Sequence, residues 1–438
     1  MSYSLPYIST YDPATTSGGS LDPLGVYLIA DRLATKLVPG VRERMSQPRY
    51  LTAMVVGAHI CSPFRDEYAV DGFTPAYQVY EWHIVEGLIS MFMRNDPSQI
   101  QGLPGIQKGK EAFQNNLPLR PDRYLKTPNV FGFHGVYRTL STELKVVSDD
   151  YLIQETGHEL LQTWQKEQKL MGVYTGNGSW NRMVSLFREA IIGGLSKGEV
   201  ARAWAWNVHE EFATYLRPNA VGRREAKLIY AAMRSENRPL RSEIVNFLLS
   251  EAGQNAWKNE RSERIYMAKL KDEANTELSQ LIDVINAYER FARYFQDAFN
   301  CCLHQMSASG KATYSELADL EGVIKACNEI PFLFSDIEQG LSQHNMQHDF
   351  LRLFSEFQQK MTPSEWVMRM WQHHCKIQKS KGRFGKSNWF ERYDDGSFRI
   401  NPSNTIGKPI ELSNEYVHGY RTQPLWSFLV NLKKVKDG

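Results

Sequence analysis

Between residues 278 and 302 the side chains Leu278, Leu281, Ile285, Tyr288, Ala292, Phe295, Phe299 and Cys302 recur three and four apart without a slip, and no proline or glycine interrupts them. This is the repeat of a long helix packed along its whole length against a partner. The rings of Tyr288, Phe295 and Phe299 suit a broad core better than a narrow two-stranded seam, so the partner is expected within the chain rather than in a second copy. Helices predicted at 313–329, 332–343 and 346–360 can supply it.

The rest of the chain also reads as helical. "DPLGVYLIADRLATKLVPG" puts Val26, Ile29, Ala30, Leu33 and Leu37 on one face and stops at Pro39-Gly40. "PRYLTAMVVGAHIC" is apolar nearly all round, as a buried helix must be. The run from Pro75 to Arg94 is a third helix, and it carries Glu81, His83 and Glu86 among large apolar residues. Buried carboxylates need partners, and Arg42, Arg44 and Arg49 are the expected ones, forming a structural ion-pair network. Near the other end, Thr362, Pro363 and Glu365 make a capping box. "WFERY", Asp395-Gly396 and "SFRI" then predict a β-hairpin. The last segment, ending "VHGYRTQPLWSFLVNLKKVK", closes on an amphipathic helix with a basic tail.

At 438 residues the chain exceeds what one core usually serves. The predicted fold class is mainly α, multi-lobed, with an embedded winged-helix module and a small C-terminal β-hairpin. Glycine, proline and composition breaks divide it into a flexible arm at 1–20, a helical domain at 21–102, the winged-helix-like module at 103–180, a helical lobe at 181–260, a long-helix bundle at 261–378 and a basic hairpin with C-terminal helix at 379–438.

Lys plus Arg exceed Asp plus Glu by only two, so bulk charge does not make this chain a nucleic-acid binder; any such contact must be a local patch. Five irregularly spaced cysteines fit reduced thiols in a cytoplasmic protein. The first twenty residues lack a basic start and an apolar run, and no stretch reaches eighteen consecutive apolar residues, so no membrane partner is expected.

Two stretches carry candidate binding residues. In "FHGVYRTLSTEL" the apolar face of Val136, Leu140 and Leu144 leaves His134, Tyr137 and Arg138 near the helix start, with Arg123 and Lys126 upstream. A turn at "SDD" and a helix entered at Thr156-Gly157 follow. That order, over residues 105–170, resembles the winged-helix domains of bacterial regulators, in which the helix before the wing often enters a major groove. Asp149 and Asp150 make this wing acidic, which repels phosphate, so packing against protein stands beside DNA contact as its role. The second stretch interleaves Lys379, Lys381, Arg383, Lys386 and Arg392 with Phe384, Trp389 and Phe390. Cations attract phosphate and aromatic faces stack on exposed bases.

No catalytic signature emerges. "GRFGKS" ends like a phosphate-binding loop but lacks the earlier glycine, since Ser380 occupies that position. His373, His374 and Cys375, with Cys301, Cys302, His304 and Cys327, show no paired ligand spacing for zinc. "HEE" at 209–211 lacks a second histidine, and "EAK" at 225–227 lies on a helical pattern without the upstream aspartate of a nuclease. An enzyme is therefore not expected, nor a metal or cofactor.

The stretches "LVPGVRERMSQPRYLTAMVVGAHIC", "PAYQVYEWHIVEGL", "RYLKTPNVFGFHGVYRTL" and "KGRFGKSNWFERYDDGSFRI", with "YVHGYR", resemble a family of bacterial accessory proteins encoded in anti-phage defence islands near helicases or other ATPases. The resemblance implies a multi-protein complex acting on foreign DNA and supplies no catalytic residues; the expected role within it is a non-catalytic DNA-binding adaptor that positions a partner ATPase, helicase or nuclease. The alternative expectations are a scaffold or phage-protein sensor without DNA contact and, third, a metal-dependent nuclease built from distant carboxylates.

Overall fold

In a computed structural model, which describes residues 22–202, 207–382 and 385–435, the chain is mainly α. Among the described residues there are nineteen α-helices and one two-stranded antiparallel hairpin. The arm expected at 1–20 lies outside the described residues. No helix among them is long and apolar enough to cross a membrane.

The chain divides into two compact units, one of residues 38–249 with 421–435 and the other of residues 22–37 with 250–420. The sequence breaks near 102 and 180 thus fall inside the first unit, and the one near 260 lies close to the structural division.

In the first unit the helix Arg49–Cys61 is central: every side chain except His59 is buried. The helices Ala76–Phe92, Phe133–Glu143, Glu155–Glu167 and Asn181–Lys197 pack against it. Trp82, Ile84, Val85 and Leu88 of the Ala76–Phe92 helix have no solvent exposure, and each such side chain contributes about 1.5–3 kcal/mol of burial.

The carboxylates on that helix are buried as expected, but their partners differ. Glu81 accepts from the Tyr124 hydroxyl (2.7 Å), the His134 backbone N–H (3.0 Å) and His134 Nδ1 (2.7 Å). Glu86 accepts from Arg202 Nε (2.6 Å) and the Leu119 N–H (2.9 Å). Arg49 goes instead to Glu225, and Arg44 lies over the Phe131 ring at 4.4 Å. Partners for buried charges come from tertiary placement, which neighbourhood in the sequence did not reveal.

The hairpin predicted after the Phe133–Glu143 helix is reduced to one isolated antiparallel bridge, Val147 to Ile153, around a tight turn in which the Ser148 N–H reaches Leu152 O at 2.9 Å. No named strand lies between the two helices among the described residues.

In the second unit the long helix runs Thr276–Ser309, started by the Asn275 side chain on the Leu278 N–H (2.9 Å) and ended at Gly310 in the left-handed region (φ +75°). All eight seam residues are buried. Their partner lies within the chain: the helix Glu321–Ser342 packs along them, and Phe291 meets Phe334, Phe350 and Phe354 in edge-on contacts at 5.0–6.0 Å. The Glu321–Ser342 helix continues through Pro331, where a break was predicted. Proline removes one backbone hydrogen bond, but Cys327, Ile330, Phe334 and Ile337 are buried on both sides of it, and that packing holds the helix together.

The Thr362 capping box forms as predicted, with its hydroxyl on the Glu365 N–H at 3.3 Å and Glu365 returning to the Thr362 N–H at 2.8 Å. The resulting helix, Pro363–Lys379, leads to the hairpin Phe390–Arg392 and Phe398–Ile400, whose turn places Gly396 at φ +77°. Ala312 pairs with Phe398 on the other edge.

Candidate nucleic-acid interface

The two candidate stretches fare differently once folded. In the first, His134 and Tyr137 are 2% and 1% exposed, so neither faces a duplex. His134 is held by Glu81, and the Tyr137 hydroxyl accepts from the backbone N–H groups of Ser46 (3.0 Å) and Gln47 (2.7 Å). Burial pushes the Tyr137 hydroxyl well above its usual pKa. Arg138 is exposed but donates through Nε to Asp149 Oδ1 at 3.0 Å and through Nη2 to Asp149 O at 3.2 Å. The acidic turn therefore engages the arginine that was to reach backbone phosphate. Arg123 is half-buried, 3.5 Å from Pro118 O, and Lys126 is exposed. His134 and Tyr137 thus serve internal packing, and Arg138 is held at the surface by the acidic turn.

The second stretch stays at the surface. Lys379 closes the Pro363–Lys379 helix, Lys386 sits on the following loop and Arg392 ends the first hairpin strand; all three are exposed. The Lys386 N–H donates to Gln378 O at 2.9 Å, which folds the loop back over the helix end. Lys376, one helical turn before Lys379, is exposed as well, and its place was missed because it precedes the glycine-rich run. Arg392 lies over the Tyr314 ring at 5.4 Å. No ion pair engages Lys376, Lys379, Lys386 or Arg392 among the described residues. Lys381 is half-buried, reaches the Asp22 carbonyl, and has its pKa lowered by burial. Arg383 lies outside the described residues. Trp389 is half-buried, tilted against Phe299 at 5.8 Å, so only part of its ring is open to a base.

A buried histidine positions this surface. His374 Nδ1 donates to Pro23 O (2.9 Å), its Nε2 accepts the Trp389 backbone N–H (2.9 Å), and its ring stacks on Phe390 at 5.7 Å. It clamps the start of the hairpin to the helix. His373, beside it, is engaged by Leu24 O at 2.7 Å and Glu356 at 3.3 Å. Among the described residues no group of three or more His, Cys, Asp or Glu side chains is placed to hold a metal ion.

A third feature escaped the sequence reading. A cleft of about 360 Å³ opens beside the long helix, with Arg290, Arg293 and Tyr294 on that helix, Arg264 on the helix Glu263–Glu273, and Tyr416 on the segment after the hairpin. The spacing of Arg290 and Arg293, three apart on the polar side of the apolar seam, was the available signal.

The fold and this surface define a mainly helical protein that presents lysine and arginine side chains around a helix end and a small hairpin. Compared with family models, curated proteins and solved structures, the chain finds no match.

Proposed function

We propose that this protein is a non-catalytic DNA-binding adaptor which, as its resemblance implies, serves a bacterial anti-phage complex by positioning a partner ATPase, helicase or nuclease. The observation that carries the DNA contact is the group Lys376, Lys379, Lys386 and Arg392: exposed, not neutralised by ion pairs among the described residues, and carried on a helix end and hairpin clamped by His374. Cations of this kind bind phosphate without base preference and release counterions, so affinity must fall steeply with salt. The half-open Trp389 ring adds an aromatic edge at the same place.

The test is binding of the full chain to a labelled duplex and a labelled single strand across a salt series, beside the variant Lys379→Ala/Lys386→Ala/Arg392→Ala. Loss of three phosphate contacts lowers the slope of log K against log salt by about 2–3 on duplex. No binding at low salt rejects the DNA reading. In that case the loop bearing Tyr68, Val70 and Phe73, which are 58%, 69% and 69% exposed, favours a scaffold that docks protein through an apolar patch.

A further inference from the structure

The loop at 65–75, ahead of the helix Ala76–Phe92, turns its large apolar side chains outward. Tyr68, Val70 and Phe73 are exposed by more than half, while Ala69 and Thr74 between them are buried. Burial that alternates in this way puts the three large side chains on one face. Together they expose on the order of 300 Å² of largely apolar surface, the class of patch that marks an interaction site on a soluble protein. The loop is also pinned from both sides. Tyr68 and Pro75 form an antiparallel bridge, the Ala69 N–H donates to Thr74 O at 2.8 Å, and the Val70 N–H donates to Leu195 O at 3.0 Å, on the helix Asn181–Lys197. Asp71 accepts from the N–H groups of Phe73 (3.0 Å) and Thr74 (2.8 Å) and from the Thr74 hydroxyl (2.6 Å). A segment fixed this way loses little freedom when a partner seats on it, so more of the contact energy is left for binding.

The charges around this face select the partner. Arg65 pairs with Asp66 at 3.3 Å, and Lys197 and Glu199, two apart where Val70 meets the helix end, offset each other. Arg120, near Glu199, pairs with Asp122, and Arg138, near Tyr77, pairs with Asp149 at 3.0 Å. Glu67 and Asp71 are left in excess beside the apolar anchors. The bonds to Asp71 come from neutral donors of its own loop, which orient the carboxylate and leave its charge in place. An acidic rim of this kind repels anionic lipid and nucleic acid and favours a partner that brings lysine or arginine.

We propose that this loop docks a basic amphipathic segment of a protein partner, with the partner's apolar side chains on Tyr68, Val70 and Phe73 and its cations toward Glu67 and Asp71. In the adaptor reading this is the surface that holds the partner enzyme. The inference does not rest on DNA contact, because none of these residues belongs to the lysine surface.

Panning a displayed library of random dodecapeptides on the full chain, with counter-selection on Val70→Ser/Phe73→Ser, tests it. The enriched peptides combine large apolar residues with a net positive charge, and as synthetic peptides they bind with micromolar affinity that weakens severalfold as salt rises. Val70→Ser/Phe73→Ser weakens them on the order of tenfold or more at unchanged melting temperature, since both side chains it shortens are already exposed. Glu67→Lys, which reverses a charge beside the anchors, weakens them severalfold. Duplex binding is the same in these variants as in the parent chain, so failure of the docking surface and failure of the DNA reading are told apart. No enrichment, enrichment of neutral or acidic peptides, or affinity unchanged in either variant overturns the proposal. So does sedimentation that finds a dimer abolished by Val70→Ser/Phe73→Ser, because the occupant is then a second copy of this chain.

Discussion

Arg49 and Glu225 stand 3.1 Å apart with neither side chain reaching solvent. Arg49 also donates to Tyr215 O at 2.7 Å and to Ala220 O, while Glu225 accepts from the Thr52 hydroxyl and from the Gly222 N–H at 3.0 Å. The pair therefore joins the central helix to the loop and helix start at 215–225. Burial lowers the Arg49 pKa, with Glu225 opposing the shift. Glu225→Ala strands a buried guanidinium and is expected to cost about 3–5 kcal/mol in urea unfolding. Arg49→Met with Glu225→Leu removes both charges and should recover most of that loss. A double variant as unstable as the single one would show that shape, not charge, dominates the site.

Two buried histidines impose a pH dependence with a definite sign. His83 Nδ1 donates to Val79 O at 2.7 Å, and its Nε2 accepts the Ala201 N–H at 3.3 Å; His374 makes the same pair of bonds with Pro23 O and the Trp389 N–H. Each ring is thus used as neutral imidazole, and protonation would put a proton where an N–H already points. Burial pushes both pKa values down to about 4, below the unfolded value near 6.5. Their contribution is fully present above pH 6.5 and drains as pH falls toward 4, by about 2 kcal/mol for each histidine at pH 5. Urea midpoints at pH 7, 6 and 5 should fall in that order, and His83→Gln or His374→Gln should flatten the trend. Variants that keep the full wild-type slope would reject this origin.

The legible parts of this protein were those in which local chemistry and tertiary packing agree. The seam from Leu278 to Cys302 declared the long helix, Thr362 and Glu365 declared a helix start, and Asp395-Gly396 declared the hairpin turn. Pro331 misled because a local rule was overridden by buried neighbours on either side. Partners of Glu81, Glu86 and Arg49 could not be found, since they come from residues 33–176 positions away. The surface exposure of Lys379, Lys386 and Arg392 was legible in a glycine-rich basic run. His134 and Tyr137 were misplaced because an amphipathic helix with polar residues near its start does not reveal that those residues turn inward.

Gly157 offers a steric test of the tight connection that replaces the expected wing. A Cβ at this position would lie 2.1 Å from Val146 O, a backbone atom with no freedom to rotate aside, and the Gly157 N–H donates to Lys145 O at 3.2 Å. Helix and turn are therefore pressed together at the glycine. Gly157→Ala should destabilise the chain by about 1–3 kcal/mol through overpacking, although alanine is the better helix former. An unchanged melting temperature would mean that the turn yields at little cost.

Glu289 holds the segment that forms one wall of the arginine cleft, and its removal separates that wall from the helix beneath it. Its carboxylate accepts from three backbone or side-chain N–H groups of Val417 and His418 and from the Tyr420 hydroxyl, all within 3.3 Å. Arg293 adds two bonds to this segment through main-chain carbonyls. Glu289→Gln keeps the shape but turns one oxygen into a donor facing donors. The unmatched groups cost about 1–3 kcal/mol, so local opening of the segment should become roughly tenfold to hundredfold more frequent. Hydrogen exchange at the Val417 and His418 amides reads this directly, and both should lose protection while the buried seam of the Thr276–Ser309 helix keeps its own. Loss throughout that helix would instead mean that Glu289 stabilises the core as a whole, and unchanged protection at 417 and 418 would show that Arg293 alone holds the wall.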